Sequence, residues 1–203
     1  MALNPDTGEY LWHYQQVPGD TWDYTASQQM TLADIPWQGE QRKVILHAPK
    51  AGFVYIVDRA TGKLLSAEPY TTVTWASGYD LDTGRPQENP GQDYDGEPAM
   101  VFPSAMGGHN WHPMAYSPDT GLLYIPELDM GMEFNEIDAV DYQHLRRHYN
   151  TGYELSGKAY SQAFTQAMLS HLPKAHLLAW DPVRQQAAWK LPHPYTHNGF
   201  FFF

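Results

Sequence analysis

The chain of 203 residues contains no cysteine. Disulfides, a thiolate nucleophile and cysteine-type zinc sites are therefore excluded, and the redox compartment is left unmarked. Basic residues are scarce, with 12 Lys and Arg against 23 Asp and Glu and a formal charge of −11. Nucleic acid is not an expected partner, because phosphate contacts need clustered cations. Long apolar runs are also missing. Nothing approaches the roughly 18 residues of a membrane span, and the closing run Phe200 to Phe203 is far too short. The opening MALNPDTGEYLW has neither the basic start nor the apolar stretch of a signal peptide, and reads like the interior of a domain. What the chain does have is aromatic side chains (14 Tyr, 8 Phe, 7 Trp) together with 16 Gly and 16 Pro. That composition argues against disorder and for a packed domain with many turns.

Short β-rich runs, KVILHA (43–48), FVYIVD (53–58), LLYIPE (122–127) and HLLAWD (176–181), alternate with the turn signals PDTG (5–8), RATG (59–62), LDTG (81–84) and PDTG (118–121). This pattern predicts an all-β sandwich, barrel or propeller. An internal repeat favours the propeller. Ala2, Asn4, Gly8 and Trp12 recur in spacing as Ala179, Asp181, Gln185 and Trp189, and a third copy keeps Asp58 and Gly62 with Ser66 at the Trp position. Such a unit is a β-hairpin: Asn or Asp caps the turn, Gly takes a positive φ, and Trp on the returning strand meets the neighbouring sheet.

The expected organisation is the end of one blade at 1–14, a complete blade within 22–70, a long loop at 71–109, and a second blade at 110–195. The first blade's strands are expected near 28–35, 43–48, 53–58 and 63–70. The second's are expected near 112–117, 122–128, 176–181 and 187–191, interrupted by an insertion at 129–175, with an atypical tail at 196–203. In the insertion, Tyr160, Ala163, Phe164, Ala167, Met168 and Leu172 form a helical stripe, predicting a helix over 159–172. Two blades and part of a third do not close a ring, which takes at least about four. The chain therefore reads as a segment of a longer protein. The alternative is a small closed propeller with another blade hidden between Asp58 and Asp181.

Four stretches, in this order, resemble the quinoprotein alcohol dehydrogenases: ALNPDTGEYLWHYQQVPGDTWDYTASQQMTLAD, RKVILHAPKAGFVYIVDRATGKLLSAE, GGHNWHPMAYSPDTGLLYIPE and HLLAWDPVRQQAAWKLP. The combination of GDTWDYT, APKAGFVYIVDR and GGHNWHPM is the specific part, and the resemblance runs over about residues 2–195. It implies an incomplete β-propeller, about two blades plus part of a third from an eight-bladed parent, with a short helical insertion. It further implies pyrroloquinoline quinone (PQQ) and Ca²⁺ as cofactors of a periplasmic enzyme. That enzyme would oxidise a primary alcohol to an aldehyde by hydride transfer to PQQ and pass electrons to a cytochrome c or attached haem domain. Haem c would belong to the parent, since this chain has no CxxCH.

By the same resemblance, Asp23 matches the catalytic base, which accepts the hydroxyl proton as hydride leaves the carbinol carbon. Read without it, Asp23 is a turn or strand-edge residue bonded to backbone, and Asp20 begins the turn. Lys50 matches the cation set against the quinone oxygens, where it would stabilise the reduced anion; alone, it reads as a solvated loop lysine. Asn110 and Trp111 match cofactor contacts, an amide for the quinone edge and an indole to wall a flat ring. Gly107 and Gly108 would permit close backbone approach. As a plain structural reading, the same pair starts a strand. Asp23 is also the one calcium ligand in the chain: the family's Glu and Asn ligands would precede Met1, and Ca²⁺ takes about 6–8 oxygens. Thr25 stands where lanthanide-dependent relatives carry an extra Asp, which favours calcium.

His144 and His148 have helical chelating spacing, yet no HExxH pattern or third ligand accompanies them, so they read as surface residues. His109 and His112 flank the Asn–Trp pair as supporting or strand residues. His197 replaces a family Trp that walls the active site, and the Phe run beyond it is either a truncation or a frameshift scar. The 203 residues alone are expected to be inactive, with open sheet edges that invite self-association. The rival reading is a non-enzymatic propeller module that binds a partner through its 71–109 and 129–175 loops.

Overall fold

The computed structural model describes residues 1–136 and 162–194. Its strands are β1 (Ala2–Leu3), β2 (Tyr10–Trp12), β3 (Thr31–Trp37), β4 (Glu40–His47), β5 (Phe53–Asp58), β6 (Leu64–Pro69), β7 (Ala76–Asp80), β8 (Arg85–Glu88) and β9 (Ala99–Val101). Then follow β10 (Ala115–Ser117), β11 (Leu122–Asp129), β12 (Met132–Phe134), helix α1 (Gln162–Ser170), β13 (Lys174–Asp181) and β14 (Gln186–His193). Two four-stranded antiparallel sheets dominate, ordered β3-β4-β5-β6 and β10-β11-β13-β14; three two-stranded sheets pair β1 with β2, β7 with β8 and β9 with β12. The first is a meander of sequential neighbours, and the second keeps chain order with β12 and α1 inserted between β11 and β13; four antiparallel strands in this order are the form of a propeller blade.

FVYIVD is buried along its whole length because β5 has packing on both faces. Phe53, Tyr55 and Val57 point into one core with Trp22, Tyr24, Trp75 and Phe134. Val54 and Ile56 point into the other, where Val44 and Leu46 meet Leu123, Ile125 and Leu178 of the second sheet. Alternation by two thus sends one strand's side chains to two interfaces. Pro36 on β3, Pro86 on β8 and Pro192 on β14 lie on edge strands, and Pro126 on the inner strand β11 lies beyond its pairing with β10, which ends at Tyr124.

The repeated turn occurs five times among the described residues. Asn4, Asp58, Asp80 and Asp181 each accept backbone N–H bonds two and three residues on, and Ser117 accepts one from Thr120. Each turn closes through an N–H four residues on, at Gly8, Gly62, Gly84, Gly121 and Gln185, all at positive φ. Trp12 lies against the Gly62 turn, where an added Cβ would stand 2.5 Å from the indole. At the next interface the sizes reverse: Ser66 donates to the side chain of Gln185. Large-on-small and small-on-large fill the same gap between successive sheets.

Several expectations need correction. The 71–109 stretch is not one long loop. It carries the β7–β8 hairpin and β9, because Asp80 caps a turn and Trp75, Ala76, Ala99 and Val101 bury against the first sheet. The interval from Asp58 to Asp181 also does hold copies of the repeated turn, at Asp80 and Ser117. They close no additional four-stranded blade, since β7–β8 and β9–β12 remain two-stranded. The 129–175 insertion contributes β12 to that second pair. Helix α1 covers Gln162–Ser170 of the expected 159–172. Tyr160, His144, His148, the side chains of Ala163, Phe164, Ala167 and Met168, and the 196–203 tail lie outside the described residues.

Candidate active site

Three loops meet at one end of the two large sheets. Asp23 precedes β3, Lys50 lies in the β4–β5 turn, and Asn110 with Trp111 precedes β10. The pairing of Thr31 with Leu46 sets the start of β3 beside the β4–β5 turn, and β3 is in contact with β10.

Asp23 has a φ of +63°. A non-glycine residue in the left-handed region is uncommon, although Asp tolerates it better than most. Its neighbours enforce the conformation. Trp22 and Tyr24 are buried and stacked at 5.6 Å; the Trp22 indole donates to Gln92 O and the Tyr24 hydroxyl to Pro103 O, each at 2.7 Å. With both flanking rings turned inward, the Asp23 side chain is left 51% exposed. Thr25 Oγ1 donates to Asp23 Oδ1 at 2.9 Å, fixing the carboxylate's rotation.

Lys50 is buried and donates to Asp23 twice, to the carbonyl at 2.9 Å and to Oδ2 at 3.2 Å. A buried ammonium needs such acceptors to offset its lost hydration. Asp20 stands nearby, its Oδ1 accepting the Trp22 N–H at 2.9 Å. Crowding by the loop pushes its carboxyl above the ordinary carboxylate range, against the pull of the Tyr24 and Trp22 amides; Asp23 adds to the rise and Lys50 opposes it.

The Asn110 loop is packed onto the Lys50 loop through its glycines. A Cβ on Gly107 would stand 2.5 Å from Lys50 Cα, and one on Gly108 2.9 Å from the Tyr70 hydroxyl. The close approach expected of these glycines is thus made to protein backbone and Tyr70. Gly108 N donates to Lys50 O, and Leu128 N to Gly108 O. Asn110 keeps its bonds within the loop, donating to Met106 O at 2.7 Å and accepting from Trp111 N at 2.8 Å. Trp111 is 56% exposed and its ring lies parallel to His112 at 4.6 Å. The structure therefore joins Asp23 to Lys50 directly and brings the Asn110–Trp111 loop against the Lys50 backbone, while the Asn110 side chain bonds within its own loop.

Supporting residues were less visible in the sequence. His109 is wholly buried and bridges Ala48 O at 2.6 Å and His112 O at 2.7 Å, tying the two loops together. Burial lowers its pKa, and the two carbonyls oppose that shift. His47 accepts from the Gln16 amide at Nδ1 and faces Gln28 O with Nε2; burial lowers its pKa to about 4. Tyr70 donates to Pro49 O, while its own carbonyl accepts from Lys190, which also meets the buried Glu127 carboxylate at 2.7 Å. The second sheet thereby braces the Lys50 loop. Only the adjacency of His109 to the Asn–Trp pair hinted at any of this.

The residues suit an anionic quinone in one respect: a buried ammonium held in place by the Asp23 carbonyl and carboxylate. They do not by themselves suit calcium. Among the described residues no three His, Asp or Glu side chains converge, and Asp23 offers one carboxylate where about 6–8 oxygens are needed.

A family model described as "PQQ: Glucose/ethanol/alcohol dehydrogenase, beta-propeller domain" matches residues 1–73. The chain is 47% identical to quinohemoprotein alcohol dehydrogenase ADH IIB of Pseudomonas putida and 43% identical to a 1-butanol dehydrogenase (cytochrome c) of Thauera butanivorans. Each match covers 98% of this chain and 28% of the relative. Among solved structures, a quinohemoprotein alcohol dehydrogenase of Pseudomonas putida superposes with a TM-score of 0.83 at 44% identity, over 94% of this chain and 28% of that one. The one from Comamonas testosteroni gives 0.79 at 41% identity, with the same coverage. The fold is that of an incomplete β-propeller of the PQQ type. The chain is similar to these quinohemoprotein alcohol dehydrogenases along nearly all of its own length and spans about 28% of theirs.

Proposed function

We propose that this chain forms part of a PQQ-dependent alcohol dehydrogenase that oxidises primary alcohols, with Asp23 as the base. The observation that carries the reading is the Asp23–Lys50 unit: a carboxylate exposed at a left-handed bend, its other side held by a buried ammonium. An alcohol hydroxyl presented to the exposed edge of Asp23 loses its proton there. Bound PQQ supplies the two-electron acceptor for that oxidation. Lys50 holds positive charge where the reduced cofactor becomes anionic, and Thr25 keeps the carboxylate from rotating. Trp111, half exposed and stacked on His112, would help wall the cofactor's ring; Asn110 shapes the loop and would bond the ring edge by exchanging its bond to Met106.

Asp23 would contribute to a Ca²⁺ site whose remaining ligands come from other residues. We further place the enzyme in the periplasm, with a cytochrome c or haem domain as electron acceptor. The 203 residues alone should not turn over alcohol, because one carboxylate does not make a calcium shell. The test is Asp23→Asn in a PQQ-loaded propeller carrying this sequence. Loss of ethanol-driven dye reduction by at least ~10²-fold, with PQQ retained, supports the base assignment; unchanged turnover removes it.

A further inference from the structure

We propose that Asp20 is a positioning residue for Asp23, its carboxylate serving as the acceptor around which the 20–24 turn is wound. Asp20 Oδ1 accepts the Trp22 N–H at 2.9 Å, and the Tyr24 N–H lies near enough to the same carboxyl to favour its charged form. These two amides flank Asp23. A left-handed residue turns the N–H groups on either side of it toward one hollow, where an anion is favoured. Among the described residues neither amide bonds a backbone carbonyl. Their side chains are pinned by Gln92 O and Pro103 O, so the ends of the turn are fixed. The carboxylate then biases which way the backbone crosses between them. With Asp20 in place, the Asp23 carbonyl and Oδ2 both face Lys50 Nζ. Without it, the Trp22 amide loses its acceptor, the left-handed bend loses its support, and relaxation of Asp23 to negative φ swings both oxygens off the ammonium.

Asp20 therefore acts through Asp23 and not on substrate, and its catalytic consequence rests on the reading of Asp23 as the base. The experiment measures acylation of Lys50 by a water-soluble succinimidyl ester, quantified by mass spectrometry against the exposed Lys43 and Lys63 of the same full chain. Asp20→Asn keeps an oxygen acceptor, whereas Asp20→Ala removes it. Lys50 should react slowly in the native chain and in Asp20→Asn, and about tenfold faster in Asp20→Ala, with the reference lysines unchanged. Native protection in Asp20→Ala overturns the proposal, and so does equal loss of protection in both variants. Should Asp20→Ala fail to fold, Asp20→Leu, of similar size but without an acceptor, takes its place: a reactive Lys50 upholds the cap and a protected one overturns it. In the loaded dehydrogenase, Asp20→Ala should lower kcat with KM unchanged, and Asp20→Asn should restore it. If Asp23→Asn leaves turnover intact while Lys50 protection follows this pattern, the base assignment fails and the positioning role stands.

Discussion

At the scale of single residues, the site is assembled by contradictions that its surroundings resolve. Asp23 occupies a backbone region most residues avoid, and Lys50 is a cation removed from water; each is the other's compensation. His47 is a third such case. Gln16 Nε2 can only donate, so His47 Nδ1 accepts, and a proton added there breaks the bond. The folded chain holds His47 at about 4, below the 6.5 of the unfolded state. Protons therefore bind the unfolded chain first as pH falls. Stability should be full above about pH 6.5, decline through the window between about 6.5 and 4, and level off below it, for a loss of about 3 kcal/mol. Urea melts at stepped pH check this, and His47→Gln should flatten the slope in that window. An unchanged slope would contradict the assignment. None of this was legible in the sequence. Asp23 and Lys50 were, through their motifs, but the positive φ at Asp23 also needs the tertiary anchoring of Trp22 and Tyr24, which no local pattern encodes.

Between elements, the recurring turn is the unit of construction, and its contacts alternate in size. Trp12 on Gly62 and Ser66 on Gln185 occupy equivalent positions in successive interfaces. Ser66→Trp alone should destabilise by about 1–3 kcal/mol, since the indole meets Gln185 where the native interface has a serine. Combined with Gln185→Gly it should recover most of that loss, because the glycine both makes room and suits the left-handed φ of 57°. A double-mutant cycle by chemical denaturation measures the coupling, and strict additivity would contradict the equivalence. The strands of both large sheets were readable because β-branched and aromatic runs lie between Asp–Gly turns. The β7–β8 hairpin was not, since its strands are only five and four residues long, with a glycine in one and a proline in the other. The turns at Asp80 and Ser117 show in the sequence as LDTG and PDTG but not as copies of the repeat, because no tryptophan follows them at its spacing.

Across the whole molecule, the arrangement is two blades with a partial third: the large sheets share a mainly aliphatic interface, a densely aromatic core lies on the other face of the first, and the β14 edge is exposed along all eight residues. Charge is acidic overall, yet the candidate site is built around a buried cation. That contrast is what a site for an anionic redox ring requires, and it is the central claim. The most direct measurement is ethanol-driven dye reduction by a propeller carrying this sequence and reconstituted with PQQ and Ca²⁺, compared with its Lys50→Ala variant. The account predicts turnover in the native protein and a fall of at least ~10²-fold in the variant, as expected for removing a charge that stabilises the reduced state. A variant that turns over at the native rate, or a loaded native protein that leaves the dye oxidised, would contradict it.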